Sequence, residues 1–420
     1  MEEKKLVDIN RIINTFITTI KWLFISLIVG VIGGLIGTAF VISVEKSNLI
    51  WDSNRWLLYL LPISGLVIVL IYHYFDFKQA KGTNRIIDKV RAEGELPISV
   101  GPVIFISTVL THICGGSAGR EGAAIQLGGS VGIFVGKAFK LDKKDTSLII
   151  LSGVSAVFAA LFGTPLTAVI FALEGISVGV IYYSGLVPCI NSALIGYGIS
   201  YLIHGKGDGF QLSYIPNIDV IVIFKVVFLA ALCGLLSTVI VLAFSQSSKL
   251  AGKLIPNPYV RIFVGGLIII GLSILFPSGN YNGSGTAMIN DAIQGNTESY
   301  AFIVKLLFTA ITLGFGFKGG EIIPTFFVGA TFGCLVGSVI GIDPGFAAAI
   351  GLVATFCGAV NCPLTSIFLS IELFGVGGLI YFAISVAISY VFSGYYSLYS
   401  SQKIVYSKIK AEYINIDSLH

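Results

Sequence analysis

The chain has 420 residues, 55% hydrophobic and only 11% charged, with a formal net charge of +4 at pH 7. A mean hydropathy of +0.91 excludes an ordinary soluble domain at this length and marks a polytopic membrane protein. The small positive excess lies mainly at the ends and in loops, where it reports topology and argues against nucleic-acid binding.

The N-terminus, Met1-Glu2-Glu3-Lys4-Lys5, is too polar for a signal peptide, and the first apolar run, 22–44, is too long for one. Lys4, Lys5, Arg11 and Lys21 precede that run and predict a cytoplasmic segment over residues 1–20. A second run at 56–75 is followed by Lys78, Lys81, Arg85, Lys89 and Arg91, again the cytoplasmic pattern. Further runs lie at 99–114, 121–139, 146–162, 164–184 and 185–203. Several are short or broken by Gly and Pro, and read as half-helices rather than clean spans. After the polar stretch 204–217 come runs at 219–245, 259–276, 301–316, 322–341, 345–360, 363–374 and 376–393. The expected organisation is one all-α transmembrane domain over 1–420. It has a first repeat at 21–204, a second at 218–400, a short tail at 401–420 and both termini in the cytoplasm.

The two halves echo each other. Gly119-Arg120-Glu121 matches Gly319-Gly320-Glu321 at a spacing of 200 residues. Thr164-Pro165-Leu166-Thr167 with Glu174 matches Cys362-Pro363-Leu364-Thr365 with Glu372 at 198, and Gly82-Thr83 matches Gly285-Thr286 at 203. Three matches in one order imply a duplicated unit, the pattern of transporters that bind substrate near the midplane between repeats.

The stretch from Gly115 to Gly132 places Arg120 and Glu121 among glycines between apolar runs. An ionisable residue at membrane depth costs about 2.5–3.5 kcal/mol and generally serves a cavity. Glycines admit close backbone approach, and a helix start offers free N–H groups to an anion. Glu121 can therefore occupy an anion site when ionised and vacate it when protonated; the alternative is a static pair with Arg120. Glu321 reads as a second proton station or as a plain helix cap. Thr83 and Asn84 offer a hydroxyl and an amide to an anion, or cap the next helix. Tyr396 and Tyr399 supply phenols that donate to an anion or sit in an interfacial belt. Glu174 and Glu372 read as structural helix-end charges. The six cysteines and four histidines lack metal-like spacing, and no nucleophile–base set suggests an enzyme. No cofactor or metal is expected.

At these residues the chain resembles the CLC family of chloride channels and proton-coupled halide antiporters. The likeness runs over nearly the whole length. It comprises Lys81-Gly82-Thr83-Asn84, Gly-Arg-Glu-Gly at 119–122, Gly-x-x-x-Pro at 320–324 and a late tyrosine motif. The resemblance implies a homodimer with one anion pathway per subunit, each built from two inverted repeats of about eighteen tilted or partial helices. It implies Glu121 as the external gating glutamate and Tyr399 as the inner tyrosine. It also implies an anion site formed by Gly82, Thr83, Asn84, Gly119, Arg120, Gly122, Ala123, Gly320, Ile322 and Ile323. Gly175 stands where chloride–proton exchangers keep an inner glutamate. Together with Glu321 after Gly320 and the non-serine Thr83, this resembles the fluoride–proton branch. In that branch the glutamate matching Glu321 takes part in coupling. Ile323 stands where fluoride members commonly carry threonine. The expected function is proton-coupled antiport of a halide across the cytoplasmic membrane, fluoride somewhat favoured over chloride, with a passive anion channel as the alternative.

Overall fold

The computed structural model describes residues 9–77, 82–91, 94, 96–205 and 209–420, with backbone alone at 9 and 10. Lys4, Lys5, Lys78 and Lys81 of the basic segments lie outside them. The first half supplies α1 (Ile9–Ser53), α2 (Leu61–Tyr74), α3 (Asn84–Val90), α4 (Val100–Ile113), α5 (Glu121–Ala138), α6 (Lys143–Phe162), α7 (Pro165–Glu174) and α8 (Leu186–His204). The second supplies α9 (Val220–Leu254), α10 (Pro258–Leu275), α11 (Thr286–Ile293), α12 (Ala301–Gly314), α13 (Ile322–Ile340), α14 (Pro344–Val360), α15 (Pro363–Phe374) and α16 (Leu379–Phe392). With the 3₁₀ turns Arg55–Leu60 and Tyr183–Gly185, these sixteen α-helices of the described residues agree with the expected count of tilted and partial helices. Local chemistry sets their ends. Proline opens α7, α10, α14 and α15, and side chains of Asp142, Asp219, Asn257 and Asp343 cap the first turns of α6, α9, α10 and α14.

Among the described residues seven helical segments are long and apolar enough to cross a bilayer, whereas α4, α7, α12, α14, α15 and α16 have only 10–17 residues. At 1.5 Å per residue the latter reach no more than about 25 Å, short of a hydrocarbon core of about 30 Å. Their ends therefore fall inside the membrane, where backbone groups must find protein partners.

Those partners come reciprocally from the two halves. Gly119 and Gly320 exchange N–H to carbonyl bonds, each 2.7 Å, in an isolated antiparallel bridge. Ser117 N–H donates to Thr312 Oγ1, and Lys318 N–H to Thr111 Oγ1, both at 3.2 Å. Glu174, at the end of α7, accepts from Leu364 and Thr365 N–H at 3.0 and 2.8 Å and caps α15. Glu372, at the end of α15, accepts from Leu166 and Thr167 N–H at 2.9 and 2.8 Å and caps α7. The two carboxylates are structural, as expected, but each serves the helix of the other half. The α5–α6 and α13–α14 crossings repeat the symmetry. A Cβ on Gly128 would lie 2.4 Å from Gly153 O, and one on Gly329 would lie 2.5 Å from Gly351 O, so backbones touch directly at both.

The helix starts of α4 and α12, α5 and α13, and α6 and α14 are all 201 residues apart. This corrects the 200-residue pairing taken from the Gly-x-Glu likeness. Gly119 is the counterpart of Gly320, so Glu321 occupies the place of Arg120, not of Glu121.

Residues 401–420 are ordered rather than a loose tail. β1 (Ser177–Val178) pairs in parallel with β2 (Lys403–Tyr406), which pairs antiparallel with β3 (Tyr413–Asp417). Between β2 and β3, Lys408 Nζ donates to Asn361 Oδ1 at 2.5 Å, Tyr390 O at 3.0 Å and Ser393 Oγ at 2.9 Å. Burial lowers this ammonium from its ordinary 10.5 to about 8.

Two expectations follow. Replacing Glu174 or Glu372 by Ala leaves two amides without an acceptor at membrane depth, and thermal unfolding in detergent is expected to report a loss of about 1–3 kcal/mol, with Gln retaining part of it. An unchanged midpoint in both Ala variants would sink the reciprocal-cap account. For Lys408, the undocked side chain holds more protons than the docked one between about pH 8 and 10.5. The wild-type unfolding midpoint is therefore expected to gain on that of Lys408→Met as pH rises through this window, with no such trend below it. Parallel pH curves for the two proteins would rule this out.

Candidate functional site

α5 and α13 begin on either side of the Gly119–Gly320 bridge, and their N-termini converge. A Cβ on Gly320 would lie 2.7 Å from both Glu121 N and Gly122 N, which shows how closely the two strands of backbone approach. First-turn amides have no intrahelical acceptor, so those of Gly122, Ala123, Ile322 and Ile323 make a site of positive potential in the protein interior. Glu121 fills it. Its side chain is fully buried, and Oε2 accepts from Arg120 N–H at 3.0 Å and from Ile323 N–H at 3.2 Å. Oε1 has no protein partner among the described residues. The carboxylate stands in the position a small anion would take.

Arg120 does not pair with Glu121. Its guanidinium turns away to Glu45 of α1, Nη1 to Oε1 3.1 Å, and Glu45 Oε2 in turn meets His204 Nε2 of α8 at 3.0 Å. The static Arg–Glu pair is thus excluded in this state, and Arg120 contributes to the site only its backbone N–H. Gly119 and Gly320 likewise do not fit the expected role of anion-facing amides, because each N–H is spent on the other's carbonyl.

On the other side of Glu121 a cavity of about 400 Å³ runs past Thr83, Glu321, Lys318 and Tyr399 to Lys249 and His420. Glu321 is the residue before α13; its carbonyl accepts from Thr325 N–H at 3.0 Å, and the residue lines the cavity. Thr83 is buried and makes no cap bond to α3; its hydroxyl points to Gly122 O at 3.4 Å, against the start of α5. Gly82, at φ +53°, lines the same cavity. Tyr399 is 2% exposed, its ring lies edge-on to Phe171, and its hydroxyl finds no protein partner among the described residues. A buried hydroxyl without a protein partner is rare and marks a place where a ligand or water bonds. Asn84 lines the cavity as well, and its Oδ1 accepts from Ser401 N–H at 2.9 Å, a bond that anchors the C-terminal segment without using the amide N–H groups expected to serve an anion.

Three buried or cavity-lining polar residues, two of them at the site, escape a motif-based reading. Gln126, one turn into α5, donates to Gly122 O at 3.0 Å and lines the cavity. Lys318 also lines it, with Nζ 4.7 Å from the Tyr72 ring centroid and no carboxylate within ion-pair reach among the described residues. Lys305 is fully buried in α12 and donates to Gly283 O at 2.8 Å and Tyr281 O at 3.2 Å. The membrane-depth argument applied to Arg120 picks out both lysines equally well.

Facing helix N-termini inside a bundle of partial membrane helices, plugged by one carboxylate and continued by a polar vestibule, define a membrane protein that moves small anions. The chain matches the family described as Voltage gated chloride channel over residues 64–394, and it belongs to that family. It is 31% identical to the chloride/fluoride channel protein of Pseudomonas syringae pv. tomato over 92% of this chain and 87% of that one. It is 26% identical to the H(+)/Cl(-) exchange transporter ClcA of Vibrio vulnificus, over 87% of this chain and 84% of the other. Among solved structures, that of a CLC-type fluoride/proton antiporter superposes with a TM-score of 0.88 at 29% identity, covering 91% of this chain and 97% of that one.

The contact at Gly320 generates a direct expectation. Gly320→Ala would drive a methyl into Glu121 N, Gly122 N and Glu121 Oε2, at 2.7, 2.7 and 2.8 Å. Overpacking of this kind costs about 1–3 kcal/mol. Thermal unfolding is expected to fall accordingly, and calorimetric titration of the purified protein with halide to lose its signal. Gly198→Ala, with nothing within 4 Å of its Cβ, serves as control. Wild-type halide binding by the Gly320 variant would disprove the converging-amide site.

Proposed function

We propose that this protein is a proton-coupled halide antiporter, with fluoride favoured over chloride as the substrate. The observation that carries the reading is the fully buried Glu121 carboxylate held by amides from both halves. An anion and a carboxylate compete for one set of donors. When Glu121 takes a proton it loses its claim on those amides, swings away and admits the halide; when the halide leaves, Glu121 returns its proton and resumes the site. Each exchange of occupant thus moves an anion and a proton in opposite directions. Glu321, on the wall of the inner cavity, is the second acid on the proton route, and Thr83 and Tyr399 donate hydroxyls to the anion as it passes.

The fluoride preference is supported by the likeness to the chloride/fluoride channel protein of Pseudomonas syringae and to the solved fluoride/proton antiporter, and by Glu321 directly after Gly320. Fluoride is small and strongly hydrated, so a site that strips its water must return many close donors. Chloride is the second reading, favoured by Ile323, which lacks a hydroxyl at the mouth of α13. We further propose that two copies assemble as a homodimer in the cytoplasmic membrane, both termini facing the cytoplasm. The repeats would cover 21–204 and 218–400, and the protein would work by transport alone, without cofactor or enzymatic step.

Purified protein in liposomes, monitored with fluoride, chloride and pH electrodes, tests this. Fluoride efflux well above chloride efflux, driving protons uphill, is expected. Glu121→Gln and Glu321→Gln should each abolish proton movement. Equal rates for the two halides would remove the fluoride assignment, and anion flux with no coupled protons would make the protein a channel.

A further inference from the structure

We propose that the segment from Gln402 to Ser418 is a positioning element for the anion ligand Tyr399, with Gln402 and Ser418 as the residues that set the phenol in the pathway. The inference rests on the anion role given to Tyr399 above.

The backbone of Tyr399 is held at every polar atom. Its N–H donates to Ser397 Oγ at 3.1 Å, and its carbonyl accepts from Gln402 N–H at 2.9 Å and from Ser418 Oγ at 2.8 Å. Gln402 is fully buried, and its side chain joins two distant pieces of chain to the tyrosine loop. Nε2 donates to Gly175 O, just past α7, at 3.1 Å and to Val360 O, at the end of α14, at 3.0 Å, while Oε1 accepts from Ser397 Oγ at 2.8 Å. Both amide hydrogens and the oxygen are thereby used, so the side chain has one orientation. Ser418 closes the other side. Its N–H donates to Gln402 O at 3.1 Å, and the next residues interlock, Ser397 N–H with Leu419 O at 3.0 Å and Leu419 N–H with Tyr395 O at 2.9 Å. Strand β3 therefore returns the chain to the loop that carries Tyr399, and β2 fixes that return against β1.

The consequence lies in what is left over. Within this network the Tyr399 hydroxyl alone has no protein partner among the described residues, although it is buried and its residue lines the cavity. A phenol fixed at its backbone and packed edge-on against Phe171 binds a desolvated anion without first losing conformational freedom. Releasing the backbone lets the hydroxyl wander and returns that entropic cost to the anion.

The experiment compares initial rates of fluoride efflux from liposomes across fluoride concentrations for wild type, Gln402→Leu, Ser418→Ala, Tyr399→Phe and the two double variants. Because Gln402→Leu strands two buried carbonyls and can fail to fold, Ser418→Ala, which removes one hydroxyl, decides the question on its own. Each tail variant is expected to raise the half-saturating concentration about two- to tenfold, the worth of one neutral hydrogen bond, with the proton-to-anion ratio unchanged. In the Tyr399→Phe background neither is expected to add a further shift. A wild-type half-saturating concentration in Ser418→Ala, or a shift that persists in full without the phenol, would overturn the proposal. Wild-type behaviour of Tyr399→Phe alone would remove the anion role of Tyr399 and this inference with it.

Discussion

Inside a bilayer no water is present to accept a backbone hydrogen bond, and the rest of this structure depends on that constraint. Among the described residues six apolar helices of 10–17 residues are too short to span the hydrocarbon core, so ends left within it must be closed by protein. The two halves close one another. Glu174 caps α15 and Glu372 caps α7, Thr111 and Thr312 accept across the middle, and Gly119 and Gly320 bridge back to back. Neither half satisfies its own broken helices alone, so the duplication is part of the fold's hydrogen-bond accounting.

The same arrangement creates the ion site. Bringing two helix starts together at a glycine bridge collects unpaired amides of like polarity, and only an anion relieves them. Glu121 supplies that anion from within the chain. Its burial and its bonds to two N–H groups make this side chain the occupant of that site, the observation on which its proposed roles as plug and proton carrier are built. Arg120, adjacent in sequence, faces the opposite way into a Glu45–His204 cluster. The charge beside the gate is therefore neutralised locally and leaves the amides to define the pathway.

The C-terminal segment extends the scheme beyond the helices. Asn84 engages Ser401, Arg91 Nη1 reaches Ser401 O at 2.5 Å, and Gln402 ties the ends of α7 and α14 to the tyrosine loop. The start of α3 and the tyrosine loop, both on the cavity wall, are thus tied to the ends of two half-helices and to a short sheet behind them. The tail is joined to the backbone of Tyr399 by hydrogen bonds from Gln402 and Ser418.

Hydropathy and punctuation sufficed to place nearly every helix, because membrane helices are written in long apolar runs and their breaks in Gly and Pro; α4 to α6 and α12 to α16 begin and end within a few residues of the runs read from the chain. Glu121 was legible for the same reason, since a charge among glycines in an apolar stretch is costly unless used. Side-chain direction was not legible. That Arg120 turns to Glu45, that Asn84 holds Ser401 and that the amides of Gly119 and Gly320 consume each other depend on contacts 75 to 317 residues away. The true register of the repeats, 201 rather than 200, also emerged only from the paired helix starts, because a shared Gly-x-Glu pattern carries no information about which residue opens a helix. Sequence by itself determined a polytopic membrane protein with echoing halves and a buried acid among glycines, since composition and periodicity follow from transfer energies that each residue carries with it. The tertiary structure decided which atoms face the ion, because hydrogen bonds are directional and short, and their partners are chosen only when the chain closes.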